Sequence, residues 1–364
     1  MKIKEIISFL ESWAPPSYQE SYDNSGLICG DKNWDFKGLL CTLDCLEQTI
    51  EEAIEKDCNL IVAHHPIVFK GLKKINGKNY VERVVIKAIK NDIAIFAIHT
   101  NLDNVHNGVN SKIADRIGLQ NQKVLIPKKT LLRKLEVYCP TEEADKVRTA
   151  LFELGAGDFT NYSHCSFNLH GQGTFMPNDK ASPHIGEKNV LHKGEEIKVE
   201  LVFPAHLTSP IMHKLNEVHP YEEVAYQLLQ MENEYQFVGS GMIGMLENEM
   251  TISSFFDLLK SQMNVSVIRH TKTVKEQVRK IALMGGSGSF GLAAAKAQGA
   301  DVYLSADFKY HEFFDADNQI VIADIGHYES EAFTIELLSD RLKEKFPNFV
   351  VLLTEINTNP VNYY

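Results

Sequence analysis

Cysteine is scarce in this chain of 364 residues: Cys29, Cys41, Cys45, Cys58, Cys139 and Cys165, with no C-x-x-C pair and no compact framework. That excludes a disulfide-stapled fold and the commonest thiolate zinc sites. Cys41 falls inside the apolar run Gly38-Leu39-Leu40-Cys41-Thr42-Leu43, where a free thiol serves as core filler. Long apolar runs are missing too, and nothing approaches the roughly 18 residues of a membrane-spanning helix. Residues 1–14 set Lys2, Lys4, Glu5 and Glu11 among apolar positions. They read as an amphipathic helix without the continuous apolar core of a signal peptide, so the expected location is cytoplasmic. Basic charge is in deficit, with 37 Lys and Arg against 48 Asp and Glu for a net charge of −11. A protein whose main work is gripping nucleic acid needs the opposite balance, so neither nucleic acid nor membrane is an expected partner. Low-complexity tracts and short-period repeats are also absent.

What is present is enough apolar residue, 44% of the chain, for a large core, in a length that suggests two or three domains. Between 38 and 119, short apolar runs alternate with longer helical patterns: 38–43, 47–57, 59–63, 80–91, 93–98 and 109–118. That is the signature of a parallel sheet flanked by helices. The habit resumes over 251–354, with strands expected near 265–269, 280–284, 301–304, 320–325 and 349–353. Between these segments the texture changes to strand, helix, two strands, helix, strand, which is the ferredoxin-like order. The expected organisation is one α/β domain built from 1–127 and 236–364, with 128–235 as an inserted α+β domain.

Five residues favoured by divalent metals stand at the ends of the buried runs. His64 and His65 end Asn59-Leu60-Ile61-Val62-Ala63, Asp103 follows Ile93–Ile98, and His327 and Glu331 follow Ile320–Gly326. Adjacent strand residues face opposite ways, so both rings of the histidine pair converge only if the backbone turns there, as Pro66 allows. If Ser330 and Glu331 open a helix through Phe346, His327 and Glu331 lie one turn apart on one face. Three imidazoles and two carboxylates suit zinc, iron or manganese. Each cluster alone is explained by turn chemistry. Together they share one address, the carboxyl edge of an open sheet, where such folds bind ligands.

Other features compete. Gly286-Ser287-Gly288-Ser289-Phe290-Gly291 matches a dinucleotide fingerprint, with Asp301 and Asp307 at the distance of a ribose-binding acid. The same loop could instead line the site. His99 reads as a supporting partner that orients Asp103. His311 has either a substrate-contact or a helix-start role, and the stretches Tyr22–Gly26 and His219–Glu223 read as turns.

The motifs Tyr22-Asp23-Asn24-Ser25-Gly26-Leu27, His64-His65-Pro66, His99-Thr100-Asn101-Leu102-Asp103, Lys309-Tyr310-His311 and His327-Tyr328-Glu329-Ser330-Glu331 resemble the Nif-three family of dinuclear metal proteins, also named GTP cyclohydrolase type 2 homologues. The insert resembles the CutA-like domain of longer bacterial members, through His219-Pro220-Tyr221-Glu222-Glu223. The resemblance implies metal ligands at His64, His65, Asp103, His327 and Glu331, carboxylates bridging two divalent ions per subunit (Zn²⁺ or Fe²⁺, with Mn²⁺ also suited), and a ring-shaped homohexamer. Relatives often carry a glycine where this chain has Ala306, in Ser305-Ala306-Asp307. The expected function is metal-dependent hydrolysis of a nucleotide-like small molecule. The alternative is metal storage, delivery or regulation without turnover. Neither catalytic residues nor the native metal are fixed by the sequence.

Overall fold

The computed structural model describes residues 1–159 and 161–364. The chain divides into two compact units, Met1–Pro127 with Gln236–Tyr364, and Lys128–Tyr235. Its strands are, in order, β1 (Gly26–Cys29), β2 (Leu39–Thr42), β3 (Leu60–Ala63), β4 (Ala94–Ala97), β5 (Leu119–Lys128), β6 (Leu132–Pro140), β7 (Phe167–Phe175) and β8 (His192–Pro204). They continue with β9 (Tyr226–Met231), β10 (Tyr235–Thr251), β11 (Arg269–His270), β12 (Gln277–Ser287), β13 (Val302–Ala306), β14 (Val321–Asp324) and β15 (Val351–Leu353).

The first unit holds two sheets. In one, ordered β1-β4-β3-β2-β15, the last four strands run parallel and β1 is antiparallel to β4. Every residue of β2, β3 and β4 is buried, because helices cover both faces of a parallel sheet and leave no room for polar alternation. The second sheet, ordered β11-β14-β13-β12-β10-β5, has β12, β13 and β14 parallel at its centre. The covering helices bury one stripe each. Tyr80–Lys90 starts where Asn79 Oδ1 accepts the backbone N–H of Glu82 at 2.9 Å, and it buries Val84, Val85 and Ala88.

Two expectations need correction here. The strand expected at 265–269 shrinks to Arg269–His270, paired antiparallel with β14. The helix expected to open at Ser330 begins at His327, ends at Glu331, and resumes as Thr334–Lys345. Gly326, at φ +92°, makes the turn that starts it, and an added Cβ there would meet the Glu329 carboxylate.

The second unit is a four-stranded sheet, β7-β8-β6-β9, antiparallel throughout. With helices Ala144–Phe152 and Thr208–Val218 it has the ferredoxin-like β-α-β-β-α-β order. Its core is Leu135, Val137, Val147, Leu151, Leu201 and Phe203. The chain leaves the first unit at the end of β5 and returns at β10, and these strands are neighbours in one sheet. The insert thus replaces a connection between adjacent strands, which preserves the outer topology.

Ile61, fully buried at the centre of the first sheet, reports on this packing. Ile61→Ala is expected to lower stability by about 2–5 kcal/mol in urea unfolding; a loss under about 1 kcal/mol would contradict its central position.

Candidate metal centre

The parallel strands of both sheets deliver polar side chains from their carboxyl ends. His64 and His65 follow β3, and their backbone N–H groups continue the ladder to Thr42 and Leu43 carbonyls at 3.1 and 2.9 Å. The chain then turns at Pro66, and the two rings converge with centroids 4.9 Å apart. His99 and Asp103 follow β4, and His327 and Glu331 follow β14.

Glu331 is the hub. Its side chain is 4% exposed, and Oε2 lies 3.0 Å from His65 Nε2 and 3.1 Å from His327 Nε2. Oε1 faces His64 Nε2 at 3.8 Å, and His64 Nε2 is 3.6 Å from Asp103 Oδ1. All five expected metal residues therefore meet, and the carboxylate of Glu331 divides them into a His64/Asp103 side and a His65/His327 side. His64, His65 and Glu331 offer ligand atoms within 4.8 Å of one another.

Each imidazole is aimed by a bond at its other nitrogen. His64 Nδ1 meets the Ile98 carbonyl at 2.9 Å, His65 Nδ1 meets Asp44 Oδ1 at 2.8 Å, and His327 Nδ1 meets Asp307 Oδ2 at 2.7 Å. Such partners fix the tautomer and leave Nε2 directed at the shared space. His99 follows the same pattern, with Nδ1 at 2.7 Å from Asp23 Oδ1. Its ring stands 5.4 Å from those of His64 and His65. The expected link to Asp103 runs through the backbone, since the Asp103 N–H donates to the His99 carbonyl at 3.1 Å.

Two atoms in this cluster, His64 Nε2 and Asp103 Oδ1, are buried with no hydrogen-bond partner among the described residues. Orphaned buried polar atoms are costly, and two of them 3.6 Å apart and facing each other fit a cation's donor set. The glycine-rich loop adds a cradle. Gly286, at φ +60°, comes so close that a Cβ would lie 2.4 Å from Glu331 Oε1, and its N–H donates to Ser330 Oγ at 2.9 Å. This corrects the dinucleotide reading. The loop serves Glu331, Asp307 serves His327, and Asp301 is occupied by Lys275 and the backbone N–H groups of Arg279 and Lys280.

Charge is balanced inside the cluster. Burial opposes a charge on His65, but Asp44 and Glu331 outweigh it and raise its pKa to about 10. His327 rises to about 9 in the same way, through Glu331 and Asp307 against burial. Burial would raise Glu331, but contacts with His327, His64 and His65 hold it well below the usual carboxylate range. Burial and then repulsion from Glu331 raise Asp103 to about 7.

Asp44, Asp23 and Asp307 are the functional residues that sequence reasoning missed or misassigned. The available signal was positional, since Asp44 follows β2 as His64 follows β3. Asp307 occupies the left-handed region at φ +58°, while Ala306 ends β13 with no positive φ, so alanine is accommodated there. His311 is exposed against the Tyr310 ring and stays outside the cluster. His219 is a turn residue, with Nε2 bonded to the Tyr138 carbonyl and Nδ1 accepting the Tyr221 N–H. The cysteines at 41 and 45 are fully buried free thiols.

A sequence profile of the Duf34/NIF3 (NGG1p interacting factor 3) family matches residues 1–360. The chain belongs to the Duf34/NIF3 family. Among its relatives, the GTP cyclohydrolase 1 type 2 homolog of Bacillus subtilis is 38% identical over 366 residues, covering 99% of this chain and 98% of that protein. The homolog of the same name from Halalkalibacterium halodurans is 37% identical, with 98% of each chain covered. Among solved structures, a Bacillus cereus protein related to NIF3 superposes with a TM-score of 0.88 at 36% identity, over 100% of this chain and 99% of that one. A Staphylococcus aureus protein gives 0.80 at 30% identity, with the same coverage. The fold described above is thus that of the NIF3 family.

Asp23 tests the support around the cluster. Its buried carboxylate accepts bonds from His99, Thr100, Ser25 and Asn24, and despite burial these hold its pKa below the usual carboxylate range. A depressed folded pKa contributes stability above the unfolded value of roughly 3.9, and that contribution is lost as pH falls toward the folded pKa. Asp23→Asn is expected to be about 1–3 kcal/mol less stable than wild type at pH 7 in urea unfolding, with the gap narrowing below pH 4. An equal gap at pH 7 and pH 3 would contradict the assignment.

Proposed function

We propose that this protein holds two divalent cations per chain, one on each side of Glu331, and uses them in a hydrolytic reaction on a nucleotide. The observation that carries the reading is the pair of buried, unpartnered atoms His64 Nε2 and Asp103 Oδ1, set beside a carboxylate whose two oxygens face opposite histidines. On this reading His64, Asp103 and Glu331 would hold one ion, and His65, His327 and Glu331 would hold the other. When bound, divalent ions would supply Lewis acidity and lower the pKa of coordinated water. The chain's own contribution is positional. Asp44, Asp307 and the Ile98 carbonyl fix the rings, and Gly286, having no Cβ, leaves room for the carboxylate.

The name of the relatives supports the hydrolytic half of the proposal and suggests GTP as the compound to try first. A second reading, metal storage or delivery without turnover, draws on the exposure of His327, whose side chain is 39% accessible, as a route for ion exchange. The two readings separate on His65→Ala. Metal-dependent turnover that disappears favours the enzyme, whereas altered metal transfer in a protein with no turnover to lose favours the carrier.

Two outcomes are expected. Metal ligands must be deprotonated, so Zn²⁺ added to metal-free protein at pH 7 displaces protons from His65 and His327. Proton release in weak buffer, with affinity rising as pH rises, is the predicted result; pH-independent binding would refute this ligand set. Separately, stripped protein reloaded with Zn²⁺, Fe²⁺ or Mn²⁺ is expected to turn over GTP or another nucleotide only in the loaded state. Failure across a nucleotide panel would remove the hydrolase reading.

A further inference from the structure

The metal cluster opens to solvent through a ring of aromatic side chains that the fold does not use. Tyr22, Phe69 and Phe290 are 63%, 44% and 62% exposed. Tyr22 and Phe290 line a cavity of about 210 Å³ whose inner wall includes Asp103, His327 and Glu331. Phe69 stands beside this mouth, its ring 6.3 Å from those of both Tyr22 and His99. On its other side Phe69 and Lys70 line a second cavity, about 600 Å³, that ends on His65 and Asp44. Two large exposed rings on one polar pocket, with a third beside its mouth, are not part of the packed core. They form a stacking surface for a planar group.

The segment that follows Phe69 carries the complementary feature. Residues 70–78 hold Lys70, Lys73, Lys74 and Lys78 with no acidic residue between them, in a chain of net charge −11. Among the described residues none of these four ammonium groups has an ion-pair partner. The nearest acid along the chain, Glu82, is turned to the loop's backbone, accepting the N–H groups of Asn76 at 3.1 Å and Lys78 at 2.9 Å. That arrangement orders the loop and leaves its positive charge uncompensated.

From these two features together we infer that the mouth is a nucleotide subsite. The heterocycle stacks on Phe69 between Tyr22 and Phe290, with its edge toward Asp103 and Glu331, and the phosphates lie on the 70–78 loop. The smaller cavity admits a bicyclic ring but not a whole nucleotide, so the tail has to extend outside it. The tail therefore passes Phe69 into the larger cavity, where Lys70 meets it. The inference rests on the hydrolytic reading of the metal centre for its purpose, but its binding residues are not metal ligands.

The test is calorimetric binding of GTP, ATP, guanosine and inorganic triphosphate to the full chain, with and without Zn²⁺. The proteins compared are wild type, Phe69→Ala, and the triple variant Lys70→Gln/Lys73→Gln/Lys74→Gln. All four positions are exposed, so folding is preserved, and circular dichroism and metal content serve as controls. Phe69→Ala is expected to weaken GTP and guanosine roughly tenfold and leave triphosphate unchanged. The triple variant is expected to weaken GTP and triphosphate at least tenfold, flatten their salt dependence and leave guanosine unchanged. Wild-type affinity for GTP in both variants, or no binding of any probe to wild type, overturns the inference. A wild-type protein that binds metal but no nucleotide fails this inference alone. One that binds nucleotide in this pattern but no metal supports the subsite and fails the metal reading.

Discussion

The structure turns on one buried carboxylate. Glu331 is shut away from solvent and surrounded by three imidazole nitrogens, and a charge in that position persists only where opposite charge meets it. Beside it the pKa values of His65 and His327 are raised, which favours the imidazolium form of each ring. Divalent cations would supply the opposite charge in their place, with a carboxylate oxygen for each. The rest of the first unit serves to bring Glu331 from one sheet to His64 and His65 from the other, and to hold all three still.

How that is done follows from strand geometry. Parallel strands end together, so residues just past β2, β3 and β4 share one edge and those just past β13 and β14 share another, although the chain separates them by up to hundreds of positions. Two such edges meet at the cluster. The carboxyl ends deliver four histidines, His64, His65, His99 and His327, with Asp103 and Glu331, and three further acids hold imidazole nitrogens: Asp44 on His65, Asp307 on His327, and Asp23, ahead of the antiparallel β1, on His99. Rigidity comes from the buried strands beneath, and the loops contribute only the last few residues. The insert returns the chain to the strand beside the one it left.

Much of this was legible in the sequence, for identifiable reasons. The buried runs of β2, β3 and β4 announce a parallel sheet, and the change to alternation in β6 and β8 announces the insert. His64, His65, Asp103, His327 and Glu331 stand out because they end such runs. What stayed hidden depended on tertiary pairing. Asp44 and Asp23 look like ordinary turn acids until their imidazole partners are in place. Gly286 belongs to a pattern whose usual meaning is a phosphate loop, and only its approach to Glu331 shows the other use. The β5 and β10 pair was also invisible, because its long strands carry mixed polarity and flank the insert.

The central claim is that Glu331 separates two cation positions. Anomalous diffraction from crystals grown with Zn²⁺, recorded on both sides of the zinc edge, tests it most directly. Two peaks per chain are expected, one between His64 and Asp103 and one between His65 and His327, each touching a different oxygen of Glu331. No peak at this cluster, or a single peak bound without Glu331, would contradict it.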